Sequence, residues 1–348
     1  MIYKKFFAAQ NSTQGFKSHF DSLFFNDDIK RRYIIKGGAG TGKSTFLKAL
    51  AATAEKGGHD VELYYCSSDV NSLDGVIIRD MGICAIDATA PHAYDCKYVG
   101  CVDTLLDVTR FLKREALISK TDEIKRLTDE SSRFYKSGYK SLSAAGKLID
   151  ELYESGRGHI DTQKLDRTAQ RLTKSGRKKE KEFSIRIVSA MNAGGKTSLT
   201  DYFSDASRAY LIEDTFVTAP LLLKKIAEYA HGKVTAFIDP LIPDRYEAMY
   251  LEEGKILISG ERKLLPEKFT RISADTFYDG YYAQNKEKIK FQKKLIKALT
   301  DMACDSFFMA KRSHDALEKI NIAAMDFSAM GKWSSKLIKE ILSDGKVQ

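Results

Sequence analysis

The chain has 348 residues, more than one hydrophobic core serves comfortably at roughly 150 residues per domain, so two domains are expected. Its 43% hydrophobic and 30% charged residues match a soluble globular protein, and no apolar run approaches the ~20 residues that cross a bilayer. A formal net charge of +9 leaves nucleic acid open as a partner, while five scattered cysteines exclude a disulfide framework and fit a reducing compartment.

The N-terminal residues Met1 to Phe7 carry two lysines with no apolar stretch or small-residue cleavage site behind them. No secretory signal is expected, and the expected location is the cytoplasm. Short β-rich stretches follow at Lys4 to Ala9, Tyr33 to Lys36, Val61 to Cys66, Val76 to Ile78 and Ile83 to Ile86, which predicts a largely parallel sheet. Between the second and third lies Gly37-Gly38-Ala39-Gly40-Thr41-Gly42-Lys43-Ser44-Thr45, a complete G-x-x-x-x-G-K-[ST] sequence. A strand precedes it and Ser44 to Lys56 follows as a helix closed by Gly57-Gly58, an order that a chance glycine-rich loop would not reproduce. The glycines let backbone N–H groups turn inward around phosphates. Lys43 is then expected to reach the β- and γ-phosphates, and Ser44 to offer its hydroxyl to Mg²⁺.

The strand Ile83-Cys84-Ala85-Ile86-Asp87 ends in the acid expected opposite Ser44 on Mg²⁺. A glutamate directly after it, the usual activator of water, is absent, since Ala88 stands there. Asp69 and Asp74, in Cys66-Ser67-Ser68-Asp69 and Ser72-Leu73-Asp74-Gly75, are candidates to polarise water or orient an acceptor, with turn-making as the competing role. His92, in Thr89-Ala90-Pro91-His92, is a candidate γ-phosphate sensor or proton carrier against a simple hydrogen-bonded loop histidine. His92, Cys96 and Cys101 are close in sequence, but H-x3-C-x4-C matches no established zinc spacing and ordinary packing is expected.

From about Ile118 the apolar period changes. Ile124, Leu127, Phe134, Leu142, Ala145, Leu148 and Leu152 predict a long amphipathic helix, and Asp161 is placed to N-cap a second one carrying Leu165, Ala169 and Leu172. Thr162 to Glu182 holds eight Lys/Arg against three Asp/Glu, yet no aromatic residue is interleaved to stack on bases, so a solvated linker is preferred to a nucleic-acid patch.

The chain also repeats itself. Tyr33 to Lys36 and its continuation align on Tyr210 to Glu213, Phe46 to Leu50 on Leu223 to Ala227, Val61 to Cys66 on Val234 to Asp239, Phe134-Tyr135 on Phe307-Phe308, and Asp161 through Leu172 on Asp326 through Leu337. In this alignment Gly37 to Ser44 falls on Asp214 to Leu221, where no glycine survives, Lys43 becomes Pro220 and Ser44 becomes Leu221. Bulky Phe216 and Val217 and the acids Glu213 and Asp214 are incompatible with a bound triphosphate. A look-alike at Ala190 to Thr197 satisfies the looser motif, but the repeat aligns it on Ala9 to Phe16, with Asn192 on Asn11, upstream of the true loop.

Gly37 to Thr45, Cys66 to Gly75 and Asp87 to His92 together resemble a bacterial family of tandem P-loop proteins described as ATPases or nucleotide-kinase-like proteins. The resemblance covers most of the first half and only loosely the second. It implies ATP binding and ATPase activity, and carries no substrate with it. The expected fold is α/β, a P-loop NTPase-like three-layer core duplicated in tandem with a degenerate second copy, each copy bearing a helical hairpin. The expected halves are 1–180 (core about 1–105, hairpin about 106–180) and 181–348 (core about 181–280, helical region about 281–348). The expected function is a Mg²⁺-dependent ATPase or nucleotide-driven switch with one working site. Lys43, Asp87, Asp69 and His92 are its candidate catalytic residues, and Arg208, Lys224 and Lys225 its candidate donors of a cation from the second half. The alternatives are a small-molecule or nucleotide kinase, with an acceptor still to be identified, and a non-catalytic ATP-binding scaffold or nucleic-acid adaptor.

Overall fold

A computed structural model describes residues 4–90, 93–174 and 179–344. The first repeat runs β1 (Lys4–Phe7), β2 (Ala9–Ser12), β3 (Gly15–Ser18), α1 (Phe20–Phe24), β4 (Arg31–Lys36), α2 (Lys43–Lys56), β5 (Val61–Tyr65), β6 (Leu73–Ile78), β7 (Ile83–Asp87), β8 (Asp103–Asp107), α3 (Arg114–Ile118), α4 (Thr121–Arg157) and α5 (Thr162–Thr173). The second runs β9 (Glu182–Arg186), β10 (Ser189–Asn192), β11 (Gly195–Ser198), β12 (Arg208–Ile212), α6 (Thr218–Tyr229), β13 (Lys233–Ile238), β14 (Tyr246–Leu251), β15 (Ile256–Ser259), β16 (Thr270–Ile272), α7 (Tyr281–Gln284), α8 (Lys286–Ala324) and α9 (Phe327–Asp344).

The duplication expected from sequence is present in the strand order. One six-stranded sheet reads β1-β5-β6-β7-β4-β8 and the other β9-β13-β14-β15-β12-β16, element for element. Pairing registers match too: Val61 faces Ile78 as Val234 faces Leu251, and Arg31 faces Ile83 as Arg208 faces Ile256. The sheets are mixed rather than largely parallel, because β6 and β14 run antiparallel to both neighbours. The reason is connection length. Residues 79–82 and 252–255 are all that separate β6 from β7 and β14 from β15, far short of the dozen or so residues a parallel crossover needs.

Short antiparallel hairpins, β2-β3 and β10-β11, precede each core. Their turns share a glycine at positive φ, Gly15 at 92° and Gly195 at 91°. This match shifts the sequence alignment here by one residue: Asn11 is equivalent to Met191, not Asn192, and Phe16 to Lys196. The helix expected after Asp161 is present, so the basic stretch from Thr162 is helical at its start rather than a solvated linker throughout. Thr162–Thr173 is helix α5, whose N-cap Asp161 accepts the Lys164 N–H at 3.0 Å, and Asp326 accepts the Ala329 N–H at 2.9 Å at the equivalent start of α9.

Two compact units do not follow the repeats. One comprises Met1–Ala9, Ser18–Ser137 and Ser306–Gln348; the other comprises Gln10–Lys17 and Gly138–Asp305. In the first unit, α9 packs on α2, with Trp333 stacked on Phe46 at 5.8 Å and Met330, Ile338 and Ile341 buried among Leu47, Leu50 and Ala54. In the second, Leu165, Ala169 and Leu172 of α5 are buried with Leu222, Leu223 and Ile226 of α6. Burying each such side chain contributes on the order of 2 kcal/mol. The helix that closes each core therefore comes from the other repeat. Among the described residues, no helix is long and apolar enough to cross a membrane.

Candidate functional site

In the first unit β4 delivers Gly37 to the C-terminal edge of the sheet, and α2 starts six residues later at Lys43. A Cβ on Gly37 would come within 2.6 Å of Val108 Cγ2 and 2.7 Å of Thr41 Oγ1, so only glycine fits the exit from the strand. Gly40 and Gly42 hold φ of 71° and 86°, a region side-chain-bearing residues enter only with strain. The glycines of the loop thus stand where a side chain would clash or strain the backbone.

Lys43 is 8% exposed. Its Nζ donates to the carbonyls of Gly37 at 3.1 Å and Gly38 at 2.6 Å, and lies 3.5 Å from Asp87 Oδ2. Ser44 Oγ accepts the N–H of Leu73 at 3.0 Å, which sets its hydroxyl beside the start of β6. Thr41 is fully buried and donates to the Gly38 carbonyl at 2.8 Å, whereas Thr45 points to solvent. Asp87 ends β7, paired with Ile35 on the adjacent parallel strand. Burial pushes its carboxyl above the ordinary range; the Lys43 ammonium and the Thr89 hydrogen bonds oppose this, and the charge of Asp74 adds to it.

Two contributors were not singled out from sequence. Thr89 donates its N–H to Asp87 Oδ1 at 3.0 Å and its hydroxyl to the Gly37 carbonyl at 2.7 Å, tying the acid's strand to the loop. Asn321, 282 positions after Ala39, donates its side-chain amide to the Ala39 carbonyl at 2.8 Å. Around it, α8 and α9 pack on the loop: a Cβ on Gly40 would lie 2.8 Å from the Glu318 carbonyl, and one on Gly42 would lie 3.0 Å from Met330. No local pattern could have joined Asn321 to the loop, because the contact exists only through the exchange of hairpins.

The remaining candidates are spread more widely. Asp69 makes a turn, its Oδ1 accepting the Asn71 N–H at 3.2 Å, and its charge acts on Lys311 of α8. Burial, with the charge of Asp74, drives the Cys66 thiol well above its ordinary range. His92 lies outside the described residues. Among the described residues, Cys96 and Cys101 belong to no group able to hold a metal.

In the second unit the loop position is altered as the repeat implied. Helix α6 starts at Thr218, two residues earlier than the Lys43 equivalence would place it. Asp214, 2% exposed, fills the turn with its own carboxylate, accepting the N–H groups of Phe216 at 3.2 Å and Thr218 at 3.1 Å and the Tyr278 hydroxyl at 2.8 Å. The look-alike motif is a hairpin. Its Lys196 lies 2.9 Å from both Glu247 and Glu261, and burial of its ammonium is more than offset by those acids, so its charge is spent internally. Arg208 begins β12, at the opposite end of the strand from the loop, and Lys225 is held by Asp166 and Glu228, each at 3.1 Å. Comparison of the chain with protein-family models, with curated proteins and with solved structures finds no match in any of the three.

Proposed function

We propose that the chain binds a nucleoside triphosphate with Mg²⁺ at Gly37 to Thr45 and acts as an ATPase or nucleotide-driven switch with this one working site. The observation that carries the reading is the convergence of Lys43 with Asp87 at 3.5 Å, where a glycine loop joins a strand to a helix N-terminus. Lys43 rests on loop carbonyls and needs to give up only two hydrogen bonds to reach a β- or γ-phosphate. Hard oxygens suit Mg²⁺, and the Ser44 hydroxyl and the Asp87 carboxylate provide them; the metal would neutralise phosphate charge there. The resemblance to tandem P-loop ATPases supports the same reading. This would make the duplicated α/β fold a P-loop NTPase core with a degenerate second copy.

Ala88, directly after Asp87, is 1% exposed and carries no base, so slow intrinsic turnover is expected. Asn321 and the start of α9 against the loop favour a switch, because any change in the loop backbone reaches two long helices. The kinase reading is favoured by one feature only: Asp69, Ser68 and Tyr135 gather with Lys311 beside the loop that follows β5. Release of ADP by the purified full chain, with and without a panel of acceptors, tests this. Turnover without acceptor is expected; turnover only with an acceptor would replace the ATPase by a kinase, and no nucleotide binding at all would overturn both.

A further inference from the structure

In the second unit, helix α8 has apolar side chains on two separate faces. One face buries Ile289 and Ile296 with Ala145, Ile149 and Leu152 of α4. Roughly a third of a turn away around the helix, Phe291, Leu295 and Met302 are 60%, 38% and 56% exposed, and Ala298 is exposed between them. Lys288 and Asp305 continue the same spacing at either end, so Lys288, Phe291, Leu295, Ala298, Met302 and Asp305 alternate steps of three and four residues. That is the period of a coiled-coil seam, and it keeps all six on one stripe of the helix. Much of this apolar surface is left to water, and the fold does not require it there. With Phe134-Tyr135 aligned on Phe307-Phe308, Leu295, Ala298 and Met302 fall on Asp122, Lys125 and Asp129, all exposed, while Phe291 falls on another exposed apolar residue, Ile118.

The charges on the stripe fit a second copy of the same helix. Lys288 stands at its N-terminal end and Asp305 at its C-terminal end, and along one flank Lys294 precedes Leu295 as Asp301 precedes Met302. A parallel pairing would set Lys288 against the partner's Lys288 and Asp305 against the partner's Asp305, like against like. An antiparallel pairing about a two-fold axis between Ile296 and Lys297 does the reverse. It sets Lys288 against the partner's Asp305, Lys294 against the partner's Asp301, Phe291 against the partner's Met302 and Leu295 against the partner's Ala298, and the symmetry makes each pair twice. Within one chain Lys288 lies 3.6 Å from Glu151 and Asp301 lies 2.6 Å from Lys297, exposed ion pairs of small worth that leave these groups at the surface to meet a partner. We propose that the stripe from Lys288 to Asp305 is a homodimer interface, on which α8 of a second copy packs antiparallel. This is independent of the nucleotide reading of Gly37 to Thr45.

Sedimentation velocity on the full chain tests this. A single helix pair is a small interface, so association is followed from about 1 to about 100 µM. The sedimentation coefficient of wild type should rise with concentration to that of a dimer and no further, because an isologous contact closes on itself. Leu295→Glu places two carboxylates in the central layers and should weaken association by at least about tenfold; should it not fold, Phe291→Glu at the more exposed position decides in the same way. Lys294→Glu, facing the partner's Asp301, should also weaken it, and Lys294→Glu combined with Asp301→Lys should restore it. A wild type that stays monomeric throughout, or a dimer indifferent to both Leu295→Glu and Phe291→Glu, would overturn the proposal. Failure of the charge swap to restore association would overturn the antiparallel pairing. A monomeric wild type that binds anionic vesicles or a single-stranded oligonucleotide, and loses that binding in Leu295→Glu, would replace the second copy by that partner.

Discussion

Replacing Lys43 by alanine separates the two motif-bearing lysines more cleanly than any other change. In the unliganded protein Lys43 makes two bonds to loop carbonyls and faces Asp87 at 3.5 Å, so Lys43→Ala leaves a partly buried carboxylate without this cation and lowers basal stability. The informative quantity is therefore the nucleotide-induced shift in melting temperature, not the melting temperature itself. A charge-assisted hydrogen bond to phosphate is worth about 2–3 kcal/mol, which weakens binding by about 30- to 150-fold. At a nucleotide concentration near 100 times the wild-type dissociation constant, ligand linkage stabilises wild type by about 2.7 kcal/mol, or roughly 4 °C for a chain of this size. After a hundredfold loss of affinity the same concentration yields about 0.4 kcal/mol and about 0.5 °C. Lys196→Ala breaks the contacts with Glu247 and Glu261 and should also lower basal stability, yet its Mg·ATP shift should remain about 4 °C. Differential scanning fluorimetry reads both. Equal loss of the shift in the two variants would refute the assignment of phosphate binding to Lys43 alone.

Three further outcomes follow from the same geometry. Gly40→Ala must accept a φ of 71° and a Cβ 2.8 Å from the Glu318 carbonyl; it should destabilise the protein by at least about 1–2 kcal/mol in denaturant titration and abolish nucleotide binding. Asp214→Ala removes the internal anion of the second loop and should cost about 2–4 kcal/mol while leaving nucleotide affinity unchanged in equilibrium dialysis. Burial, opposed by Lys196, pushes the Glu247 carboxyl up to about 7 from its ordinary 4.5. A carboxyl raised on folding favours the folded state below pH 4.5, and that advantage is lost as pH rises to about 7. Glu247→Gln, which does not titrate, should thus gain stability relative to wild type across this window and hold a constant difference above it; a flat difference in pH-resolved chemical denaturation would show that Glu247 is not raised.

Much of this was legible in the chain because it is local or repeated. The loop, its strand and its helix lie within a few tens of residues, and Asp87 follows on the next parallel strand. The repeat identified Asp161 and Asp326 as equivalent caps and exposed the eroded loop at Asp214. Where tertiary context decides, the reading stopped. The apolar run at Val76 to Ile78 looks the same whether its strand runs parallel or antiparallel, and only the short connection at residues 79–82 reverses it. The hairpin offset of one residue was invisible until the two positive-φ glycines fixed it. Asn321 had no signal at all, since its partner Ala39 is reached through a helix belonging to the other repeat.

The stoichiometry of Mg·ATP bound by the purified full chain, measured by equilibrium dialysis, bears most directly on a single working site. One nucleotide per chain, lost in Lys43→Ala and kept in Lys196→Ala, is expected. Two per chain, or one that survives Lys43→Ala, would contradict it.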